Sequence, residues 1–98
     1  MPDDARPLLV FFSSPRSGPA RRMESLLAHI ARKERHRIRV VQVDVDERRD
    51  LAERFRVQAA PAVVLVDAKK VLARIDGRAS APRIESMLDE HLAAPAPA

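Results

Sequence analysis

The 98-residue chain contains no cysteine. This absence excludes disulfide bonds, thiolate metal ligands, cysteine nucleophiles and dithiol redox chemistry. Tryptophan and tyrosine are also absent, and the three aromatic residues are all phenylalanine. Surfaces that stack the bases of single-stranded nucleic acid need several exposed rings, so this composition does not favour one. Zinc-finger patterns and glycine-rich phosphate loops are missing too, and we expect no nucleic-acid partner.

Long apolar runs are also absent, and none approaches the roughly 18 residues that a membrane-spanning helix needs. The start of the chain, Met1–Asp4, is acidic and lacks the apolar core of a secretory signal. We therefore expect a cytosolic protein without membrane association. The composition, 46% hydrophobic and 33% charged, is typical of one folded domain. We place this domain at residues 6–93, with a frayed N-terminus at 1–5 and an Ala/Pro tail at 94–98.

Basic residues are in modest excess over acidic ones. The chain has 18 Lys and Arg against 14 Asp and Glu, which gives a net charge of +4. Such an excess is compatible with an acidic partner, but it names none. The most basic stretch, residues 32–39, holds five Lys or Arg and one Glu. We interpret it as a solvated helix end and loop, since no other feature supports a nucleic-acid contact.

The apolar pattern predicts seven secondary-structure elements. A continuous apolar run at 8–12 is typical of a strand that is covered on both faces. Apolar residues from Met23 to Ala31 recur at helical spacing. Three further strands are predicted at 38–45, 62–66 and 71–75, and two further helices at 47–55 and from Ser80 to about Leu92. Asp46 and Ser80 are the predicted N-caps of these two helices.

The resulting order, β-α-β-α-β-β-α, predicts an α/β fold. Two β-α-β crossovers imply parallel strands. Residues 67–70 are few enough for a hairpin between the last two strands, which adds an antiparallel pair. We therefore expect a mixed four-stranded sheet with helices on both faces.

The segment over residues 12–21, Phe-Ser-Ser-Pro-Arg-Ser-Gly-Pro-Ala-Arg, resembles the active-site segment of thioredoxins. That family carries Trp-Cys-Gly-Pro-Cys-Lys after a strand. Gly18 and Pro19 match this motif, whereas Ser17 and Ala20 stand at its two cysteine positions and Arg16 at its tryptophan position.

Two further landmarks support the resemblance. Ala60-Pro61-Ala62 is similar to the family's cis-proline turn, and Asp76-Gly77 to its turn before the last helix. The match runs from about Leu8 to Leu92 and keeps the family's spacing. It implies a minimal thioredoxin fold with a cis bond before Pro61.

The family's chemistry does not follow from this resemblance. A serine hydroxyl cannot carry out thiol–disulfide exchange, and Ala20 removes the resolving thiol. The family also places an Asp and a Lys beneath its active site, and the matching positions here are Phe11 and Gln42. We therefore expect no thiol–disulfide oxidoreductase activity, no catalytic residue, no cofactor and no metal.

What the resemblance still implies is binding, because thioredoxins pair the backbone beside their cis-proline with an extended peptide, and this needs no thiol. The positive charges of Arg16, Arg21 and Arg22 cluster near the start of the first helix, where they oppose the helix dipole. This arrangement points to an acidic ligand. We expect a protein or extended peptide as the partner, with an acidic segment as one candidate. The alternative is a structural or assembly role, as a homo-oligomer that does not use this loop. The predicted binding residues are Arg16, Ser17, Gly18, Pro19, Ala20, Arg21, Arg22, Ala60 and Pro61.

Overall fold

A computed structural model describes residues 5–92 of the chain. The elements, in chain order, are β1 (Leu8–Ser13), α1 (Gly18–Lys33), β2 (Arg39–Asp44), α2 (Arg49–Arg54), β3 (Ala62–Asp67), β4 (Lys70–Asp76) and α3 (Ala81–His91). The predicted α/β order is confirmed. The predicted fraying of the first residues and the Ala/Pro tail fall on residues outside the described range, Ala5 excepted.

The four strands form one mixed sheet in the order β2-β1-β3-β4. β1 and β2 are parallel, whereas β1 pairs with β3, and β3 with β4, in antiparallel fashion. The prediction that both β-α-β crossovers join parallel strands is therefore wrong for the second. At 1.5 Å per residue, α2 is only about 9 Å long, whereas a six-residue strand spans about 20 Å. The chain therefore does not return along the sheet, and β3 starts near the end where β2 stops.

The sheet separates two apolar clusters, which confirms helices on both faces. Successive residues of β1 point to opposite faces, so Leu9 and Phe11 join one cluster and Val10 and Phe12 the other. The first cluster contains buried residues of α1 and α3, and the second packs beneath α2. All four of these β1 side chains are buried, which explains the continuous apolar run in the sequence.

Two of the three helices begin at serine N-caps. The Ser17 hydroxyl accepts a hydrogen bond from the Ala20 N–H at 3.1 Å. Ser80 accepts one from the Arg83 N–H at 3.4 Å, as its predicted role requires. Both helices carry proline in their first turn, where a missing N–H costs nothing.

The prediction that Asp46 caps α2 is wrong. α2 begins at Arg49, and the residue before it, Arg48, makes no side-chain cap. A turn intervenes, in which the N–H groups of Glu47 and Arg48 donate to the Asp44 carbonyl. The Asp46 carboxylate instead accepts hydrogen bonds from the loop that follows β1, as described below.

Candidate functional site

The loop between β1 and α1 is held from within and from a neighbouring segment. Ser14, buried at the end of β1, accepts a hydrogen bond at its carbonyl from the Ser17 N–H at 3.0 Å. Ser17 then caps α1, and its hydroxyl lies 3.5 Å from the Ala60 carbonyl oxygen. The helix start and the segment before Pro61 are therefore adjacent in the fold.

The turn at Gly77 is a third segment, and it meets the other two at the same end of the sheet. The peptide bond between Ala60 and Pro61 is cis. The Pro61 carbonyl accepts a hydrogen bond from the Gly77 N–H at 2.9 Å. Gly77 has a φ of +85°, a conformation that favours glycine, so the turn after β4 needs this residue type.

A cavity of about 480 Å³ lies beside Pro61. Its floor is the segment from Gln58 to Pro61, in which residues 58–60 belong to no helix or strand. Their main-chain groups take no part in the sheet ladder. Residues lining the cavity are Arg56, Gln58, Ala59, Ala60, Pro61, Arg74, Asp76 and Gly77.

The Arg74 guanidinium connects two segments of the cavity wall by hydrogen bonds. It donates hydrogen bonds to the carbonyls of Phe55, at 2.6 Å, and Arg56, at 3.1 Å, beyond the end of α2. It also donates to both carboxylate oxygens of Asp76, at 3.2 and 2.7 Å. Because these bonds occupy its nitrogens, Arg74 acts as a clamp between α2 and β4.

Arg56 presents the cavity's other positive charge. Its backbone follows α2 with a φ of +56°. The N–H groups of Arg56 and Val57 donate to the carbonyls of Glu53 and Ala52, which is the Schellman pattern of a helix end. Arg56 is exposed, and within residues 5–92 its side chain makes no ion pair.

The three arginines predicted to bind an anion lie elsewhere. Arg16 is paired with Asp46, at 3.1 Å between Nη2 and Oδ1. Arg22 lies over Gly18, with its Nη1 3.6 Å from the position that a Cβ on Gly18 would occupy. Arg21 lines a separate cavity of about 210 Å³ whose walls include acidic side chains.

The predicted binding residues therefore divide into two groups. Ala60 and Pro61 line the cavity, and Ser17 adjoins Ala60. Arg16, Arg21 and Arg22 are not among the lining residues, nor are Gly18, Pro19 and the fully buried Ala20. The structure brings Ser17, Ala60 and Pro61 together, but it places the other six predicted residues outside the lining of this cavity.

Asp46 links the two loops beside the start of α1. Its carboxylate accepts a hydrogen bond from the Ser14 hydroxyl at 2.7 Å and the ion pair from Arg16. The Ser14 hydroxyl bond, followed by the Arg16 contact, holds the pKa of Asp46 below its ordinary value. Ser14 also accepts from the Arg16 N–H at 3.1 Å, so the three residues form one closed network.

The positions that match the family's proton-transfer residues lie side by side in the sheet. Phe11 of β1 is in register with Gln42 of β2. Phe11 is fully buried in the larger apolar cluster, and the Gln42 amide donates to the Glu24 carboxylate at 3.0 Å. Neither provides an acid or base beneath the loop. Within residues 5–92, no group of side chains could hold a metal ion, and no helix is long and apolar enough to cross a membrane.

Several cavity residues could not be found from the sequence. Arg56, Gln58 and Arg74 come from two separate segments, the stretch after α2 and strand β4, and carry no local motif. Gly77 was predicted to lie in a turn, but nothing in the sequence indicates that this turn contacts Pro61. The wall of the cavity is a tertiary feature.

Comparisons with known proteins place these observations in a family. The family model named Thioredoxin matches residues 2–90. Thioredoxin-1 of Drosophila melanogaster is 33% identical over 75 residues, which cover 76% of this chain and 69% of that protein. Monothiol glutaredoxin-4 of Schizosaccharomyces pombe is 29% identical over 85 residues, 87% of this chain, but this chain spans only 34% of that protein's length.

A solved structure shows the same architecture. The crystal structure of the germline-specific thioredoxin Deadhead from Drosophila melanogaster superposes with a TM-score of 0.83 at 28% sequence identity. The superposition covers 91% of this chain and 84% of that one. The minimal thioredoxin fold expected from the sequence is confirmed.

Proposed function

The chain belongs to the thioredoxin family, and we propose that it is a cysteine-free member that captures an extended peptide segment of a partner protein beside Pro61. The observation that carries the proposal is the main chain of residues 58–60, which lies outside the sheet ladder and lines a cavity of about 480 Å³. The proposed role is binding without catalysis.

An extended peptide needs hydrogen-bond partners for its own main chain. A segment outside the sheet ladder offers such partners, and pairing with it resembles the addition of a strand to a sheet edge. Ala59 and Ala60 present small side chains there, so a peptide backbone can approach closely. Ser17 replaces a thiol nucleophile with a hydroxyl, so capture is non-covalent and reversible.

The charges around the cavity favour a peptide with an acidic side chain. Arg74 is occupied by Asp76 and by two carbonyls, whereas Arg56 is exposed and unpaired within the described residues. A guanidinium binds a carboxylate with two parallel hydrogen bonds when the geometry allows. We therefore assign the proposed preference for acidic ligands to Arg56, rather than to the arginines at the start of α1.

Peptide selection tests the proposal. A phage-displayed library of random short peptides is selected on the full chain, and the enriched peptides are titrated by calorimetry. Ala59→Trp fills the cavity, so we expect it to weaken binding about tenfold or more, a loss of about 1.4 kcal/mol. Ala28→Trp places the same side chain on the exposed surface of α1 and serves as the matched control.

A second pair of variants tests the charge. Arg56→Glu should weaken the binding of acidic peptides, whereas Arg54→Glu makes the same change at an exposed position of α2 that does not line the cavity. Equal peptide affinities of the Ala59→Trp and Ala28→Trp variants would contradict peptide binding in the cavity beside Pro61. Equal effects of the two arginine replacements would contradict the role of Arg56.

A further inference from the structure

Within residues 5–92, the outer edge of β2 has no strand paired with it. β2 is the first strand in the sheet order and pairs with β1 alone among the described residues. Its central residues, from Val40 to Val43, carry no charge and include no proline. Natural proteins usually protect such edges with lysine, proline or a bulge, because an open edge pairs with other strands. β4, at the opposite edge, has a register shift in its pairing with β3.

The hydrogen bonds to β1 show which main-chain groups of β2 point outward. The Arg39 N–H donates to the Pro7 carbonyl at 2.9 Å, and the Val45 N–H donates to the Ser13 carbonyl at 3.0 Å. In a parallel pair, every second residue directs both its N–H and its C=O to the neighbouring strand. The odd-numbered residues of β2 therefore face β1, and Val40 and Gln42 present their N–H and C=O groups to the open side.

Val41 lies between these two residues and is unusually exposed. Its relative exposure is 36%, and the only other large apolar side chain as exposed within residues 5–92 is Val71 of β4. An exposed valine at the centre of an edge strand can pack against the side chain opposite it on a second strand that pairs with this edge.

We propose that a second copy of this chain pairs with the open edge of β2, with the two strands antiparallel and centred on Val41. In this register, Val40 of each copy lies opposite Gln42 of the other and exchanges two main-chain hydrogen bonds with it. The two Val41 side chains meet directly across the two-fold axis, in a non-hydrogen-bonded pair where side chains are closest. The two sheets become one.

Charge complementarity supports a second copy as the occupant. The basic stretch at residues 32–39 runs into the start of β2, and the acidic residues Asp44 and Glu47 lie at its end and just beyond it. Antiparallel pairing brings the basic end of each strand beside the acidic end of the other. This local attraction opposes the repulsion between two chains of net charge +4, and it weakens as salt screens it.

The helices leave room for this arrangement. α1 packs against both β1 and β2. With strands about 4.8 Å apart, a helix centred between β1 and β2 lies about 5 Å from the two-fold axis. The two α1 helices would therefore lie about 10 Å from each other. This is close to the usual separation of packed helices, 8–10 Å.

Two measurements test the pairing. Sedimentation equilibrium of the full chain should show concentration-dependent association towards twice the 11.0 kDa chain mass. Val41→Lys adds an edge charge at an exposed position, so the fold should persist while the dimer is lost. Val71→Lys makes the same change on the opposite edge and should leave the dimer intact. Circular dichroism confirms that both variants are folded.

Amide hydrogen exchange gives the second, residue-specific measurement. The N–H groups of Val41 and Val43 should be protected at every concentration, because they bond to β1. Those of Val40 and Gln42 should gain protection only as the chain associates. A monomer at all concentrations, a dimer that survives Val41→Lys, or fast exchange of Val40 and Gln42 within the dimer would overturn the proposal. Protection of these two amides only when a different protein is added would overturn it as well.

Discussion

Ser17 shows how a single residue can lose the family's chemistry and keep a structural role. It stands at the position of the first thioredoxin cysteine, and its hydroxyl caps α1 through the Ala20 N–H. Serine N-caps contribute about 1 kcal/mol relative to alanine. The apolar stripe from Met23 to Ala31 predicted this helix, whereas its start at Ser17 followed only from the resemblance to thioredoxins. It did not predict the contact with Ala60, which joins residues 43 positions apart.

Asp46 shows the limit of local rules at the same scale. An Asp shortly before a helix is a reasonable N-cap. Its carboxylate instead accepts from Ser14 and Arg16, which lie 32 and 30 positions away along the chain. The sequence could not reveal these contacts of Asp46, because they depend on how β1 and β2 position the loops that follow them.

The Asp46 network makes a prediction that titration can check. Ser14→Ala removes the largest cause of the lowered pKa, so the pKa of Asp46 should rise towards its ordinary value. Carboxyl-carbon NMR during a pH titration measures this directly. Because the pKa is lowered in the folded state, Asp46 stabilises the fold above the pKa of an unfolded aspartate, about 3.9. This contribution is lost as the pH falls through the folded-state pKa.

A comparison variant completes the titration. Arg16→Ala removes the weaker, exposed contact and should raise the pKa of Asp46 less than Ser14→Ala does. If Ser14→Ala left the pKa unchanged, the hydroxyl bond would not be its main cause.

At the scale of elements, the candidate site beside Pro61 is built from the ends of helices and strands. The existence and order of all seven elements could be predicted, because apolar spacing and breaker residues are local signals. The direction of β3 could not, because it depends on the length of α2, which proved to be six residues long. Among residues 5–92, three non-glycine residues adopt positive φ at such ends: Arg56, Ala68 and Lys69. None of them is a residue type that predicts this conformation.

Arg56 combines a strained backbone with an exposed charge at the cavity. Arg56→Gly removes the steric cost of the left-handed conformation, so it should raise the free energy of unfolding by about 1 kcal/mol. For a chain of this size, that corresponds to a rise in Tm of about 4–8 °C. The same change removes the guanidinium, so the binding of acidic peptides should weaken. Thermal denaturation and peptide titration of one sample measure both effects.

Lys69→Gly provides the matched control. Lys69 has a φ of +67° in the two-residue turn between β3 and β4, where glycine is favoured. It does not line the cavity beside Pro61. We expect a similar gain in stability and unchanged peptide binding. A loss of peptide affinity in this variant, or none in Arg56→Gly, would contradict the role assigned to Arg56.

For the whole molecule, three distant segments meet at one end of the sheet: the β1–α1 loop, residues 58–61 and the turn at Gly77. The resemblance to thioredoxins predicted all three of these landmarks and their spacing, since each carries a short motif. The cavity wall at Arg56 and Arg74 could not be predicted, because only the hydrogen bonds from Arg74 to the segment after α2 bring it together. The proposed dimer uses the β2 edge and leaves this end of the sheet open.

The most direct test of peptide capture is NMR mapping of a selected acidic peptide on the ¹⁵N-labelled chain. We expect amide shifts at Ser17, across residues 56–60 and at Gly77, with intermolecular NOEs between the peptide backbone and Ala60. The bound peptide should be extended along residues 58–60. Shifts confined to the β2 edge or to the helix surfaces, with Ala59 and Ala60 unperturbed, would contradict capture beside Pro61.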